Sequence, residues 1–162
     1  MPTVFEHGPY LNAAVLCERA IQETDGVLTI VRAIDKVVAQ PGPAADRMPT
    51  PAAMQPFPVS LSLVVLMKAG QARGEYTLGI RPQDPTGAQL PLLETPVVFT
   101  GADDGQGANV VVNLNLGIQH EGLYWFDLLL SGELITRVPL RTEYRQAGDQ
   151  APPAPRAHGT SG

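Results

Sequence analysis

The sequence predicts an all-β protein, an antiparallel two-sheet sandwich with about eight strands. Three observations carry this expectation. Apolar residues recur with period two between regularly spaced turn signals, which is strand rather than helix patterning. Gly (16) and Pro (16) leave little room for long helices in 162 residues. A 44% hydrophobic content over this length suits one core and one domain. The domain is expected over residues 1–145, with a proline-rich loop at 40–58, and residues 146–162 form a tail.

The elements follow in order. Ala13, Val15 and Cys17 alternate with Leu16 and Glu18 up to Thr24-Asp25-Gly26. Asp-Gly between apolar runs signals a hairpin, because both residues tolerate positive φ. Residues 12–20 also have high helix propensity, so the spacing alone leaves strand and helix open over 11–23. Val27 to Val38 is rich in β-branched residues and reads as one strand.

Beyond the loop, Val59, Leu61, Leu63, Val65 and Met67 line a core face, with Ser60, Ser62, Val64, Leu66 and Lys68 opposite. Glu75 to Arg81 is a strand stopped by Pro82, and Asp84-Pro85-Thr86-Gly87 is a turn. Pro96 to Thr100 opens with proline, as edge strands do. Val110, Val112, Leu114, Leu116 and Ile118 face inward, with Asn113 and Asn115 outward. A final hairpin turns at Ser131-Gly132. Tyr124, Phe126, Leu128 and Leu130 share one face of its first arm, and Leu134, Thr136, Val138 and Leu140 the same face of its second.

The tail from Gln146 to Gly162 has no large apolar residue to repay its ordering, so it is expected to be disordered. The loop Gln40 to Pro58 holds six prolines with Met48, Met54 and Phe57. A connection of this length acts as a sheet-to-sheet crossover or as a lid.

Gly122-Leu123-Tyr124-Trp125-Phe126 resembles the Gly-x-Tyr-x-Cys segment of immunoglobulin-type sandwiches, with Phe126 in the cysteine position. In that motif the tyrosine hydroxyl bonds back to the backbone at a corner, and the resemblance implies a sandwich of immunoglobulin-like or C2-like kind. The chain also resembles a bacterial family known only as a domain of unknown function. Its first half shares the strand, short turn and strand of Ala13 to Val31. Its second half shares Gly122 to Leu130, the turn Ser131-Gly132-Glu133, and Arg137-Val138-Pro139-Leu140-Arg141. The resemblance implies the sandwich fold, assigns no catalytic residue and leaves function open.

Several functions are disfavoured by the residues themselves. A net charge of −5 and a pI near 5.1 lack the basic footprint of nucleic-acid binding. The start at Met1 shows no secretory signal, and the longest apolar run, Leu63 to Met67, falls far short of a membrane span. A cytoplasmic setting, no nucleic acid and no membrane are therefore expected, and nine Arg against two Lys suggest a bacterial source. One cysteine, Cys17, excludes an internal disulfide, and no cofactor is expected. None of the four serines lies in a Gly-x-Ser-x-Gly elbow, and an enzyme would need His7 or His120 to meet Cys17 or a carboxylate across the fold.

Two features suggest binding. Trp125 points away from Tyr124 and Phe126 in company with Leu123 and Leu129, while Val64 and Leu66 also face away from the core. Either the loop 40–58 covers such a face or a partner does. These five residues are the expected contact surface of a non-catalytic interaction or assembly module, self-association included. The alternative is a small-ligand or Ca²⁺-dependent module using Asp103 and Asp104, with Glu94 and Asp84 converging from other loops.

Overall fold

Alternation of apolar and polar residues carries through to the backbone of the computed structural model, which describes residues 5–39 and 56–144. The tail, most of the proline-rich loop, and the cover expected from Met48 and Met54 lie outside the described residues. Every regular element described is a strand: β1 (Tyr10–Gln22), β2 (Leu28–Ala33), β3 (Lys36–Ala39), β4 (Phe57–Lys68), β5 (Gly74–Gln83), β6 (Leu93–Phe99), β7 (Gly107–Ile118), β8 (Gly122–Leu130) and β9 (Glu133–Tyr144). They form a four-stranded sheet ordered β2-β1-β4-β7 and a five-stranded sheet ordered β3-β9-β8-β5-β6.

The segment with high helix propensity is strand β1. Tertiary pairing overrides local preference there, because β1 is held between β2 and β4. At the end of β1 the expected turn forms: Gly26 takes φ +86°, and the Val27 amide donates to Asp25 Oδ1 at 3.1 Å.

The single strand expected over Val27 to Val38 is two. Arg32 adopts φ +51°, the Ile34 amide donates to the Leu16 carbonyl at 2.8 Å, and the chain leaves the first sheet. It re-forms as β3 at the edge of the second sheet, parallel to the last four residues of β9. This accounts for nine strands instead of about eight. It also makes β3–β9 a parallel pair among otherwise antiparallel ones.

The core lies between the two sheets. Leu61, Leu63, Val65 and Met67 on β4 and Leu114, Leu116 and Ile118 on β7 meet Leu78, Ile80, Phe99, Tyr124, Phe126, Leu128 and Leu130 from the other sheet. Burying each such side chain stabilises the fold by about 1.5–3 kcal/mol. Edge strand β6 carries Pro96, as expected.

The β8–β9 hairpin departs from simple alternation. A bulge between Leu128 and Leu129 pairs Leu128 with Thr136 but Leu129 with Leu134. Leu134 is thereby turned outward and Ile135 packs against the core, so Leu134 does not share the inner face of Val138 and Leu140.

The aromatic corner is formed. The Tyr124 hydroxyl accepts the backbone amides of Gln119 at 3.3 Å and His120 at 3.4 Å. Gly122, at φ +131°, fits this corner because a Cβ there would come within 2.9 Å of Pro85.

Candidate functional site

On β8, Tyr124, Phe126 and Leu128 point into the core, which directs Leu123, Trp125, Asp127 and Leu129 to the outer face of the five-stranded sheet. Pairing fixes their neighbours: Leu123 stands opposite Arg141, Trp125 between Pro139 and Gln83, and Asp127 between Arg137 and Arg81.

Asp127 faces outward yet is only 8% exposed, because two arginines close over it. Arg137 Nε donates to Asp127 Oδ1 at 2.6 Å, and Arg81 Nη2 donates to Asp127 Oδ2 at 3.3 Å. The same Arg137 guanidinium lies 4.8 Å over the Trp125 ring and donates to Gln83 Oε1 at 3.2 Å. Stacking and ion pairing therefore fix one arginine in one orientation. Arg81 Nε is buried with no hydrogen-bond partner.

The opposite end of this face is apolar. Leu129 lies beside Leu134 on β9 and Gly79 on β5. Gly79 leaves a shallow place, since a Cβ there would meet Leu92 at 3.4 Å and Leu129 at 3.6 Å. Leu92 and Leu134 are 50% and 53% exposed. One surface thus joins a tryptophan with stacked and paired arginines to a short leucine patch.

A family model for a family of unknown function, DUF6941, matches residues 12–143, nearly the whole span of the nine strands. The chain belongs to DUF6941. A search of curated proteins finds no match. The two arms of the DUF6941 domain that the sequence singled out, Ala13 to Val31 and Gly122 to Arg141, fall in different sheets.

In this DUF6941 chain the five expected contact residues do not form one surface. Trp125, Leu123 and Leu129 share the outer face just described, whereas Val64 and Leu66 lie on the outer side of the four-stranded sheet. Val64 is 0% exposed, between Val15 and Val111 on the neighbouring strands, so it offers no contact area. The sequence also missed Asp127, Arg81 and Arg137 as a cluster. The available signal was one carboxylate inside the apolar run Leu123 to Leu130, but only strand register reveals its partners.

The acidic loop is similarly dispersed. Asp104 Oδ1 accepts Arg73 Nη2 at 3.0 Å, and Asp103 Oδ1 accepts the Gly105 amide at 2.7 Å. Glu94 sits opposite Gly79 on the edge strand β6, and Asp84 follows the far end of β5. Asp103, Asp104, Glu94 and Asp84 therefore do not converge, and among the described residues no three His, Cys, Asp or Glu side chains form a metal-holding group.

Asp84 serves its own turn. Partial burial pushes its carboxyl upward, but bonds from the Thr86 hydroxyl and the Ala88 and Thr86 amides, with the charge of His120, together hold it below the usual carboxylate range. The His120 ring is 4.0 Å from that carboxylate. Cys17 instead donates from Sγ to the Ser62 carbonyl at 3.5 Å. Burial pushes its thiol up, against a smaller downward pull from the Arg19 backbone. A nucleophile needs the opposite shift.

Proposed function

We propose that this DUF6941 chain is a non-catalytic protein-interaction module whose outer five-stranded face takes an acidic, partly apolar segment of another protein. The observation that carries this reading is the cluster on β8 and its neighbours. Trp125 is stacked by Arg137, with Arg81 and Arg141 alongside and Asp127 as the carboxylate among them, next to exposed Leu92 and Leu134. Tryptophan and arginine dominate interface hot spots, and a pre-positioned guanidinium loses little freedom on binding. The positive balance of this patch favours a partner carrying carboxylates.

The non-catalytic part is supported by Cys17, whose buried thiol meets a carbonyl rather than a base. A lone buried thiol also suits the cytoplasmic setting we infer. The immunoglobulin-like reading of the sandwich rests on the Tyr124 corner.

The test is capture with tagged full-length chain, comparing wild type with Trp125→Ala and Arg137→Glu, each checked for fold by circular dichroism. A stoichiometric companion should be retained by wild type and lost by both folded variants. A companion indifferent to both substitutions would remove this face from the reading. Recovery of untagged copies of the chain itself would assign the face to self-association instead.

A further inference from the structure

β7 is the outermost strand of its sheet, and among the described residues its far edge meets no other strand. Its ladder to β4 runs from Gly107 to Ile118 without a register shift. Where that ladder continues, the Ala69 amide donates to the Gln106 carbonyl at 2.8 Å. Antiparallel pairs alternate between hydrogen-bonded and non-bonded positions, so the even-numbered residues of β7 turn their amides and carbonyls to β4. Asn109, Val111 and Asn113 turn theirs to the open edge.

The remaining edges carry features that discourage strand addition. β2 is broken by Arg32 at φ +51°, β3 is four residues long, and β6 contains Glu94 and Pro96. β7 runs for 12 residues with no charge, no proline and no bulge. Such an edge is a template for another strand.

Its residues also select the strand it suits. Asn109-Val110-Val111-Val112-Asn113 reads the same in both directions. An antiparallel copy centred on Val111 therefore sets Val111 opposite itself, Val110 opposite Val112 and Asn109 opposite Asn113. Such self-complementarity is what a closed two-fold contact requires. Val111 is 38% exposed on the outer face, and Val110 and Val112 are only partly buried on the inner one, so an added strand buries apolar surface on both sides. Copies of a chain with net charge −5 repel one another in general, and this uncharged stretch is where they can approach.

We propose that β7 pairs antiparallel with β7 of a second copy of the chain, joining two four-stranded sheets into one across a two-fold axis at Val111. The contact lies on the other sheet from the Trp125 face and does not depend on it.

The experiment is sedimentation velocity of the full chain from about 1 to 500 μM, because strand pairing buries an area at the low end of specific interfaces. A concentration-dependent equilibrium between monomer and dimer is expected. Amide exchange followed by NMR should slow with concentration at Asn109, Val111 and Asn113, while Val110 and Val112 are protected at every concentration. Asn109→Asp together with Asn113→Asp sets carboxylates against each other and should weaken dimerisation by about tenfold. Asn109→Asp together with Asn113→Lys sets opposite charges against each other and should restore it. Trp125→Ala should leave it unchanged, which separates this contact from self-association through the five-stranded face. Circular dichroism checks that each variant is folded. A monomer throughout, a dimer whose edge amides stay unprotected, equal weakening by the two asparagine double variants, or a dimer lost on Trp125→Ala would overturn the proposal.

Discussion

Arg137 and Asp127 face each other directly across the β8–β9 pair, with Nε of one 2.6 Å from Oδ1 of the other. The carboxylate is nearly enclosed while the arginine keeps one side to solvent. The cost of breaking such a pair is set by the group left behind rather than by the attraction lost. Asp127→Ala leaves Arg81 and Arg137 side by side without their shared acceptor. We expect a loss of about 1–3 kcal/mol in urea unfolding. A loss below about 0.5 kcal/mol would mean that water replaces the carboxylate at no cost.

Tyr124→Phe keeps the buried ring and removes an acceptor from the Gln119 and His120 amides. It should lower stability by about 1–2 kcal/mol with the fold unchanged. Faster amide exchange confined to these two residues would show the corner loosening locally.

Gly122→Ala combines a left-handed φ with a Cβ that meets Pro85. Destabilisation by about 1–3 kcal/mol is expected from melting curves. Gly132→Ala, also at positive φ but in open space, should cost less.

The low carboxyl of Asp84 couples stability to pH. The folded chain gives up this proton more readily than the unfolded one, so the contribution is complete above the ordinary value of about 3.9 and is lost as pH falls through the lower folded value. Asp84→Asn keeps an oxygen for the turn and removes the titration. The difference in urea midpoint between pH 6 and pH 3 should therefore shrink in the variant.

Cys17 behaves oppositely. Its raised thiol stays protonated in the fold, and the associated stability is present below the ordinary thiol range and lost as pH rises towards the folded value. At pH 8 we expect labelling by a thiol reagent to run at least about a hundredfold slower in native than in unfolded chain. Comparable rates would place Cys17 at an open site.

The inner face of the sandwich was legible because alternation reports burial directly: every β4 and β7 core residue expected from the pattern is inward. The edge position of β6 and the Tyr124 corner were legible from Pro96 and from the Gly-x-Tyr spacing. Two departures were not. The run Val27 to Val38 contains no turn residue other than Asp35, so nothing local announces the change of sheet at Ile34. The bulge at Leu128/Leu129 inverts Leu134 without any glycine to mark it. The Asp127 cluster depends on register between three strands, which residue order along each strand does not contain.

The parallel pairing of β3 with β9 ties together two parts of the chain about a hundred residues apart, and β9 is the partner of β3 in the sheet. During synthesis β3 must therefore wait for a strand made about a hundred residues later. The first hairpin, β1–β2, can form at once, but the second sheet closes only after synthesis has reached Tyr144. Folding of such non-local topology is slow, and it leaves β3 as an unpaired edge during translation. The charge of Lys36 and the shortness of β3, four residues, then act as safeguards against pairing with another nascent chain.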